Sequence, residues 1–457
     1  MLTKPDSDGP ADAGGTRPET VIETSGLEVH YQLQGGALSR LLGLRSRTVK
    51  ALDGVSVELR RGEVLGVVGE SGSGKTTLGR ALLGLVPATG GQITYHSAGG
   101  PREVARMRGR ELRRLRTDLQ MVFQDPSAAL NPSMTIEEAV GHPLVIHKLA
   151  SGAELRRRVH ETLERVGLAP VERFASKYPS DLSGGQKQRA VIARAIILGP
   201  EVLVADEPIS MLDMSVRAKI LQLMLDLKQD LGLSYLYITH DLASAKYFCD
   251  RIAIMYLGRI VEIGPTADIF ANPRHPYTQA LLKAIPEPDP TRTVPRDLPR
   301  GEIPDAAEPP LGCSFHPRCD QAVASCGWET RDLRVLLDQH WTRGAANYDR
   351  ERALVGDLDR LDTPGTSITL GGKDPEATLR LLERIRGENP DEPLWAGVRQ
   401  IENDGRHVRV DFHDGVDPAL RRHGVVDVAC VLYDADDSES DVDSDDADTG
   451  GAGGSAG

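Results

Sequence analysis

The spacing of apolar residues changes along the chain, and each change marks a different element. Ordered structure is expected from Val21. There "LEVHYQLQ" alternates apolar and polar residues, as a half-buried strand does. "GGALSRLLGLRSR" breaks that pattern and reads as a loop or short helix. "VKALDGVSVELRRGEVLGVVGESGSGKTTLGRALLGLV" predicts a strand, a turn at Arg61-Gly62, a buried strand over Val64 to Val68, a glycine-rich loop and a helix. A wholly apolar strand feeding a helix points to a parallel α/β sheet. Arg102 to Leu168 is mostly helical in period, interrupted by "FQDPSAALNPSM". A helix over Gln186 to Leu198, the strand "EVLVADEP", a helix over Ser215 to Leu231 and the strand "SYLYITHD" follow. "RIAIMYLGRIVEIG" predicts two strands about Gly258.

Proline becomes frequent from Pro273 to Pro310, which marks a domain edge or extended connection. Beyond Asn347, "TSITLGG", "DPEATLRLLERIRGE", "HVRVDFHDG" and "VVDVACVLYD" predict strand, helix, strand and strand, a small extra α/β domain. The expected layout is a disordered leader over 1–22, a main domain over 23–272, a C-terminal region over 273–346, the small domain over 347–434 and an acidic, disordered tail over 435–457.

The chain has 457 residues, 40% hydrophobic and 26% charged, the proportions of a soluble globular protein. No apolar run reaches the roughly 18 to 20 residues that span a bilayer. The first twenty residues lack the apolar segment of a secretory signal. A net charge of −13 argues against a duplex-binding face. Arginine exceeds lysine and aspartate is abundant. Either adaptation to a salty cytoplasm or a GC-rich genome accounts for that balance, though nucleotide bias does not by itself explain the acidic excess. Five cysteines are too few for a disulfide scaffold.

"GESGSGKTT" carries the chemistry. Gly69, Glu70, Ser71, Gly72, Ser73, Gly74, Lys75, Thr76 and Thr77 follow the phosphate-loop spacing G-x4-G-K-T. Glycines let backbone N–H groups turn inward around phosphate oxygens, and the following helix offers its positive end. Lys75 can reach the β- and γ-phosphates, and the Thr76 hydroxyl can ligate Mg²⁺. A glycine-rich turn with a surface lysine is the bland alternative. Asp206 ends the apolar strand "VLVAD" and can hold Mg²⁺ through water. Glu207 follows, placed to polarise an attacking water. His240 could contact the γ-phosphate, and Gln124 could bridge Mg²⁺ and the water. Singly, each of these residues is uninformative.

"DLSGGQKQRAVIARA" contains neither a nucleophile with its base nor a metal-ligand spacing. Phosphate loop, Gln124, "LSGGQ", Asp206-Glu207 and His240, in this order, resemble the ATP-binding-cassette (ABC) family over roughly Leu27 to Ile285. The resemblance implies an α/β fold: a P-loop NTPase cassette with a mixed-sheet core and a helical subdomain. It implies that Ser183, Gly184, Gly185 and Gln186 complete the site of a second cassette, so that two chains sandwich two ATP molecules. Asp213, in "SMLD", matches the loop that links the two sites, with Met211 in place of the usual small residue. Tyr31 is the candidate for the ring that stacks on adenine; a packing role is the alternative.

"VFQDPSAALNPSMTI", "MYLGRIVEIG", "NPRHPYTQALLKAIPEPDP" and "RGEIPDAAEPPLGCSFHPRC" narrow the resemblance to the ATPase subunits of peptide and nickel importers. That subgroup implies ATP and Mg²⁺ as cofactors. It also implies a second, paralogous cassette, two membrane permeases and an extracytoplasmic solute-binding protein as partners. The expected place is the cytoplasmic face of the cell membrane, with no nucleic acid bound. A non-transport ATPase acting on nucleic acid or ribosomes, and a cassette that binds ATP without turnover, are the competing readings. Cys313, Cys319 and Cys326 form C-x5-C-x6-C in a Cys-containing extension. Some relatives hold an iron–sulfur cluster there, with a fourth cysteine downstream. Here no cysteine stands where the fourth is expected; Cys430 is distant in sequence, and His316 and His340 are the other donors. The segment therefore predicts either an iron–sulfur or zinc site or a set of packed thiols.

Overall fold

A computed structural model describes residues 19–32, 47–97, 99–285, 301–343, 347–371 and 374–434. The expected leader lies mostly outside the described residues. The loop at 33–46, residues 286–300 and the acidic tail lie wholly outside them.

Among the described residues fifteen strands form three sheets. The first contains β1 (Thr20–Gln32), β2 (Thr48–Arg60), β4 (Gly90–Ser97) and β5 (Gly100–Glu103), in the order β2-β1-β4-β5 and antiparallel throughout. The second is the core of the molecule. It joins β3 (Val64–Val68), β6 (Leu119–Val122), β7 (Val202–Asp206), β8 (Ser234–Thr239), β9 (Arg251–Tyr256), β10 (Arg259–Pro265), β14 (Arg421–His423) and β15 (Val426–Val428) in the order β14-β15-β10-β9-β3-β8-β7-β6. The third is β11 (Ser367–Leu370), β12 (Val398–Asn403) and β13 (Val408–Phe412), in the order β11-β13-β12.

In the core sheet β9, β3, β8, β7 and β6 run parallel, and β10, β15 and β14 antiparallel. The buried strands are apolar on both faces because both faces are covered. Val64 and Val68 of β3 enter one hydrophobic cluster, and Leu65 and Val67 enter the other. The first cluster runs on into the helices Ile136–Ile146, Gly152–Arg165 and Gly184–Ile196, the helical subdomain. The second fills the space beneath the β1–β2–β4 sheet. The expected mixed-sheet core with a helical subdomain is what forms.

Two local expectations differ. Arg102–Leu168 is not continuously helical: the helix Arg110–Asp118 is followed at once by β6, which pairs in parallel with β7. Four residues after a strongly polar helix are too few to show their own period. The second difference concerns "VVDVACVLYD". Only Val426–Val428 forms a strand, and it leaves the small C-terminal sheet to extend the core sheet. Glu262 opposes Val428 and Ile263 opposes Asp427, and the Ala429 N–H donates to the Val261 carbonyl at 2.8 Å. This hairpin covers what would otherwise be an open edge at β10. Gly264 makes room for it, since a Cβ there would lie 2.5 Å from Val426 Cγ1. Arg259 strengthens the seam by pairing with both Asp53 and Asp417.

Candidate functional site

The loop from Gly69 to Gly74 connects the buried end of β3 to the helix Lys75–Leu82. Its glycines are required by close approach. A Cβ on Gly69 would stand 2.1 Å from the Met255 carbonyl oxygen. Gly74 lies in the left-handed region at φ 99°, and a Cβ there would stand 2.2 Å from the Ala51 carbonyl. The Lys75 ammonium is buried against the loop, donating to the carbonyls of Gly69 at 2.8 Å and Glu70 at 2.7 Å and to Ser73 Oγ at 3.3 Å. Burial lowers its pKa, and the carboxylates of Glu207, Asp206 and Glu70 oppose that shift. The side chain is thus a desolvated cation fenced by acidic groups at the mouth of a backbone nest.

Thr76 Oγ1 donates to Asp206 Oδ1 at 3.0 Å, which brings the helix start and the end of β7 together. Burial pushes the Asp206 carboxyl up; the Thr76 hydrogen bond opposes this, and repulsion from Glu207 adds to it. Both oxygens are hard donors of the kind Mg²⁺ takes, so the residues fit that ion. Next along the chain, Glu207 sits at φ 46°, a conformation costly for a side chain of its size. Its N–H donates to the Ile238 carbonyl at 2.9 Å and its own carbonyl accepts from Ser210 Oγ at 3.0 Å, so both flanks fix the strained turn. The turn presents the carboxylate to Gln124 and His240. Gln124 Nε2 donates to Glu207 Oε2 at 2.9 Å, and His240 Nδ1 lies 3.0 Å from Oε1. Gln124, Glu207 and His240, read separately in sequence, form one hydrogen-bonded group on the ends of β6, β7 and β8.

The signature segment points elsewhere. Ser183 caps the helix Gly184–Ile196: its Oγ accepts from the Gln186 N–H at 3.4 Å, and Gln186 Oε1 accepts from the Ser183 N–H at 3.0 Å. Ser183 and Gly184 are exposed. Gly185 has a packing reason as well, because a Cβ there would meet Val216 Cγ1 at 2.7 Å. Asp213 stands at the N-cap position of the helix Met214–Leu231 without a side-chain capping bond and is exposed, as are Met211 and Met214 on either side. Tyr31 lies on β1 opposite Val49, 43% exposed, immediately before the undescribed loop.

Among the described residues, no group of three or more His, Cys, Asp or Glu side chains is placed to hold a metal ion. His316 is fully buried with both ring nitrogens engaged, by the Cys313 carbonyl at 2.8 Å and Asp332 at 3.0 Å. His340 is paired to Glu351. Cys430, distant in sequence, is carried by the β14–β15 hairpin to within electrostatic reach of Cys326 and Cys313. Burial pushes Cys313 and Cys319 up to about 12 and Cys430 up to about 11. Burial thus favours the neutral thiol at each of these positions. The sequence reading also missed two residues that touch the phosphate loop from far away, Tyr277 and Arg318. Their motifs, "HPYT" and "HPRC", were visible without a role.

Residues 52–210 match the family described as ABC transporter, and residues 261–326 match that described as Oligopeptide/dipeptide transporter, C-terminal region. The Escherichia coli oligopeptide transport ATP-binding protein OppF is 43% identical over 313 residues, 67% of this chain and 91% of that protein. Oligopeptide transport ATP-binding protein AppF of Bacillus subtilis is 40% identical over 326 residues, 71% of this chain and 96% of AppF. A Brucella ovis protein provisionally named a peptide import ATP-binding protein is 46% identical over 321 residues, 70% of this chain and 96% of its own length.

Proposed function

The chain belongs to the ABC transporter ATP-binding proteins of the oligopeptide and dipeptide import type, and from this we propose how its residues drive peptide uptake. It is an ATPase subunit: it binds ATP with Mg²⁺ and hydrolyses it to power import. The observation that carries the residue assignment is the convergence of Lys75, Thr76, Asp206, Glu207, Gln124 and His240 on one loop mouth.

The phosphate loop, Gly69 to Thr77, cradles the phosphates through its inward N–H groups, with Lys75 turning from loop carbonyls to the β- and γ-phosphates. Thr76 and Asp206 would hold Mg²⁺, with Gln124 nearby, and the ion would supply charge neutralisation for phosphoryl transfer. Glu207 accepts the proton of the water that attacks the γ-phosphorus. The bond to the β–γ bridging oxygen breaks, and ADP and inorganic phosphate leave. His240 steadies Glu207 and the γ-phosphate, and Tyr31 stacks on adenine.

Ser183 to Gln186 act on the nucleotide of a second cassette. The exposure of Ser183 and Gly184 at a helix N-terminus supports this, because an exposed N-terminus with a capping serine suits a phosphate from outside. Asp213, exposed at the start of the helix Met214–Leu231, links the two sites in this reading. The family implies membrane permeases and a substrate-binding protein as partners. The finer reading is a paralogous second cassette, two permeases, and a place on the cytoplasmic face of the membrane. No helix among the described residues is long and apolar enough to cross a membrane itself.

Gentle purification of the tagged chain from solubilised membranes, in high salt, with its companions identified by mass spectrometry, tests the assembly. Two permeases, a second cassette and a solute-binding protein are expected. A soluble homodimer on ribosomes or nucleic acid, without permeases, would overturn the transport reading.

A further inference from the structure

The segment after the cassette reaches back to the phosphate loop and holds its second residue. The Glu70 N–H donates to the Tyr277 hydroxyl at 3.0 Å. The Glu70 carboxylate takes two donors from one guanidinium, Arg318 Nη1 to Oε2 at 2.7 Å and Nη2 to Oε1 at 3.0 Å. The two residues are 248 positions apart. Arg318 is 7% exposed and Glu70 27%, so this fork-on-carboxylate pair is partly shielded from solvent.

Arg318 has little freedom to leave. Its guanidinium carbon stands 5.8 Å from the centres of both the Tyr256 and Phe315 rings, and Nη1 reaches the Tyr256 hydroxyl at 3.4 Å. Those rings pack with Tyr277: 4.7 Å between Tyr256 and Tyr277, 5.4 Å between Tyr256 and Phe315, and 5.2 Å between Tyr277 and Phe315. The short turn His316–Arg318 is pinned in turn by the His316 ring, bound to Asp332 and the Cys313 carbonyl.

Glu70 is linked to the reacting end of the loop. Its carbonyl accepts from the Lys75 ammonium at 2.7 Å, so the backbone gripped from outside by Tyr277 and Arg318 is the backbone that seats Lys75 inside. The region that distinguishes this subgroup of cassettes therefore braces the loop common to all of them.

We propose that Arg318 and Tyr277 are positioning residues for ATP, acting through Glu70 to keep the phosphate loop in its receiving shape. Nucleotide affinity then depends on docking of the C-terminal region. This rests on Gly69 to Thr77 being the nucleotide site.

The test is equilibrium binding of a fluorescent ATP analogue, with Mg²⁺ and displacement by ATP, to the full chain. The variants are Arg318→Met, Glu70→Gln and the pair together, with thermal melts alongside. Arg318→Met is expected to weaken binding roughly fivefold or more, a usual size for coupling between linked sites. In the Glu70→Gln background the same change should cost nothing further. Arg318→Lys, which keeps a cation but not the fork, should fall between. Tyr277→Phe, which removes one hydroxyl, should weaken binding in a chain that melts as the parent does. An equal loss from Arg318→Met in both backgrounds would show a merely structural role and overturn the proposal. So would unchanged affinity in folded Arg318→Lys and Tyr277→Phe chains. Failure of the parent chain to bind ATP at all would instead remove the site assignment on which the proposal stands.

Discussion

Two segments of this chain advertise chemistry by spacing, and they meet opposite fates. Gly69 to Thr77 places a lysine at the end of a glycine-rich loop, and Cys313 to Cys326 places three thiols within fourteen residues. Both are ordered, and both bury ionisable groups. Burial lowers the pKa of Lys75, but Glu207, Asp206 and Glu70 are arranged about it and oppose that shift, favouring the charged form. The cysteines are buried without such company. Desolvation raises all three, no cationic side chain offsets it, and the neutral form is favoured. A spacing becomes a site only where the fold retains an unspent charge or donor.

The sharpest way to break this contrast is at Glu207. Glu207→Gln keeps the shape of the side chain but removes the carboxylate proposed to act as base. ATP turnover, measured in the assembled transporter, should fall by up to about 10⁴-fold, the upper range for general-base catalysis, with ATP binding retained. Turnover at the parent rate would mean that the carboxylate is as inert as the thiols. Lys75→Met should act on binding. Loss of a charge-assisted contact to phosphate is expected to weaken ATP affinity by about 10- to 100-fold in the displacement titration, and unchanged affinity would empty the first half of the comparison.

The thiols should behave as packing. Cys319→Ala is expected to cost about 1 kcal/mol of stability in a denaturant titration and to leave ATP affinity untouched. Iron and zinc, measured on anaerobically purified protein, should be far below one per chain. A stoichiometric metal, or a melting temperature that drops on chelation, would make the two segments alike after all.

How much could be read from sequence follows the same divide. The phosphate loop was legible because its glycines answer to local geometry, as Gly74 does at φ 99° against the Ala51 carbonyl. Strands β3, β7 and β8 were legible because burial on both faces leaves an unbroken apolar run. Strand β6 was not, since its four residues follow a polar helix without a turn. The family order grouped Gln124, Glu207 and His240, but their mutual bonding was not legible, because three strand ends must first be brought side by side. Arg318 on Glu70, Cys430 beside Cys326, and β15 on β10 were illegible for one shared reason. Each pairs the cassette or its C-terminal region with a segment far along the chain, and no local pattern encodes which distant residue arrives.

The smallest expected effect concerns a buried group of the second kind lying next to the first. His275 is fully buried, caps the helix Pro276–Lys283 by accepting the Tyr277 N–H at Nδ1, 3.0 Å away, and is held neutral by burial, its pKa lowered to about 3. In the unfolded chain it takes a proton near its ordinary 6.5, whereas the folded chain resists until about 3. Its contribution to stability is therefore full above pH 6.5 and is lost as pH falls through that window, by at most about 1.4 kcal/mol per pH unit. Glu262 accepts the His275 backbone N–H and is itself pushed up by burial, so it favours folding in the opposite direction of pH. The informative quantity is accordingly the difference between two chains. His275→Asn keeps an oxygen where Nδ1 accepts and removes the titrating ring. Its denaturation midpoint should fall less steeply than the parent's between pH 6.5 and 4.5. Parallel slopes would mean that the ring is charged in the fold, and that burial beside the phosphate loop does not neutralise a group lacking a charged partner.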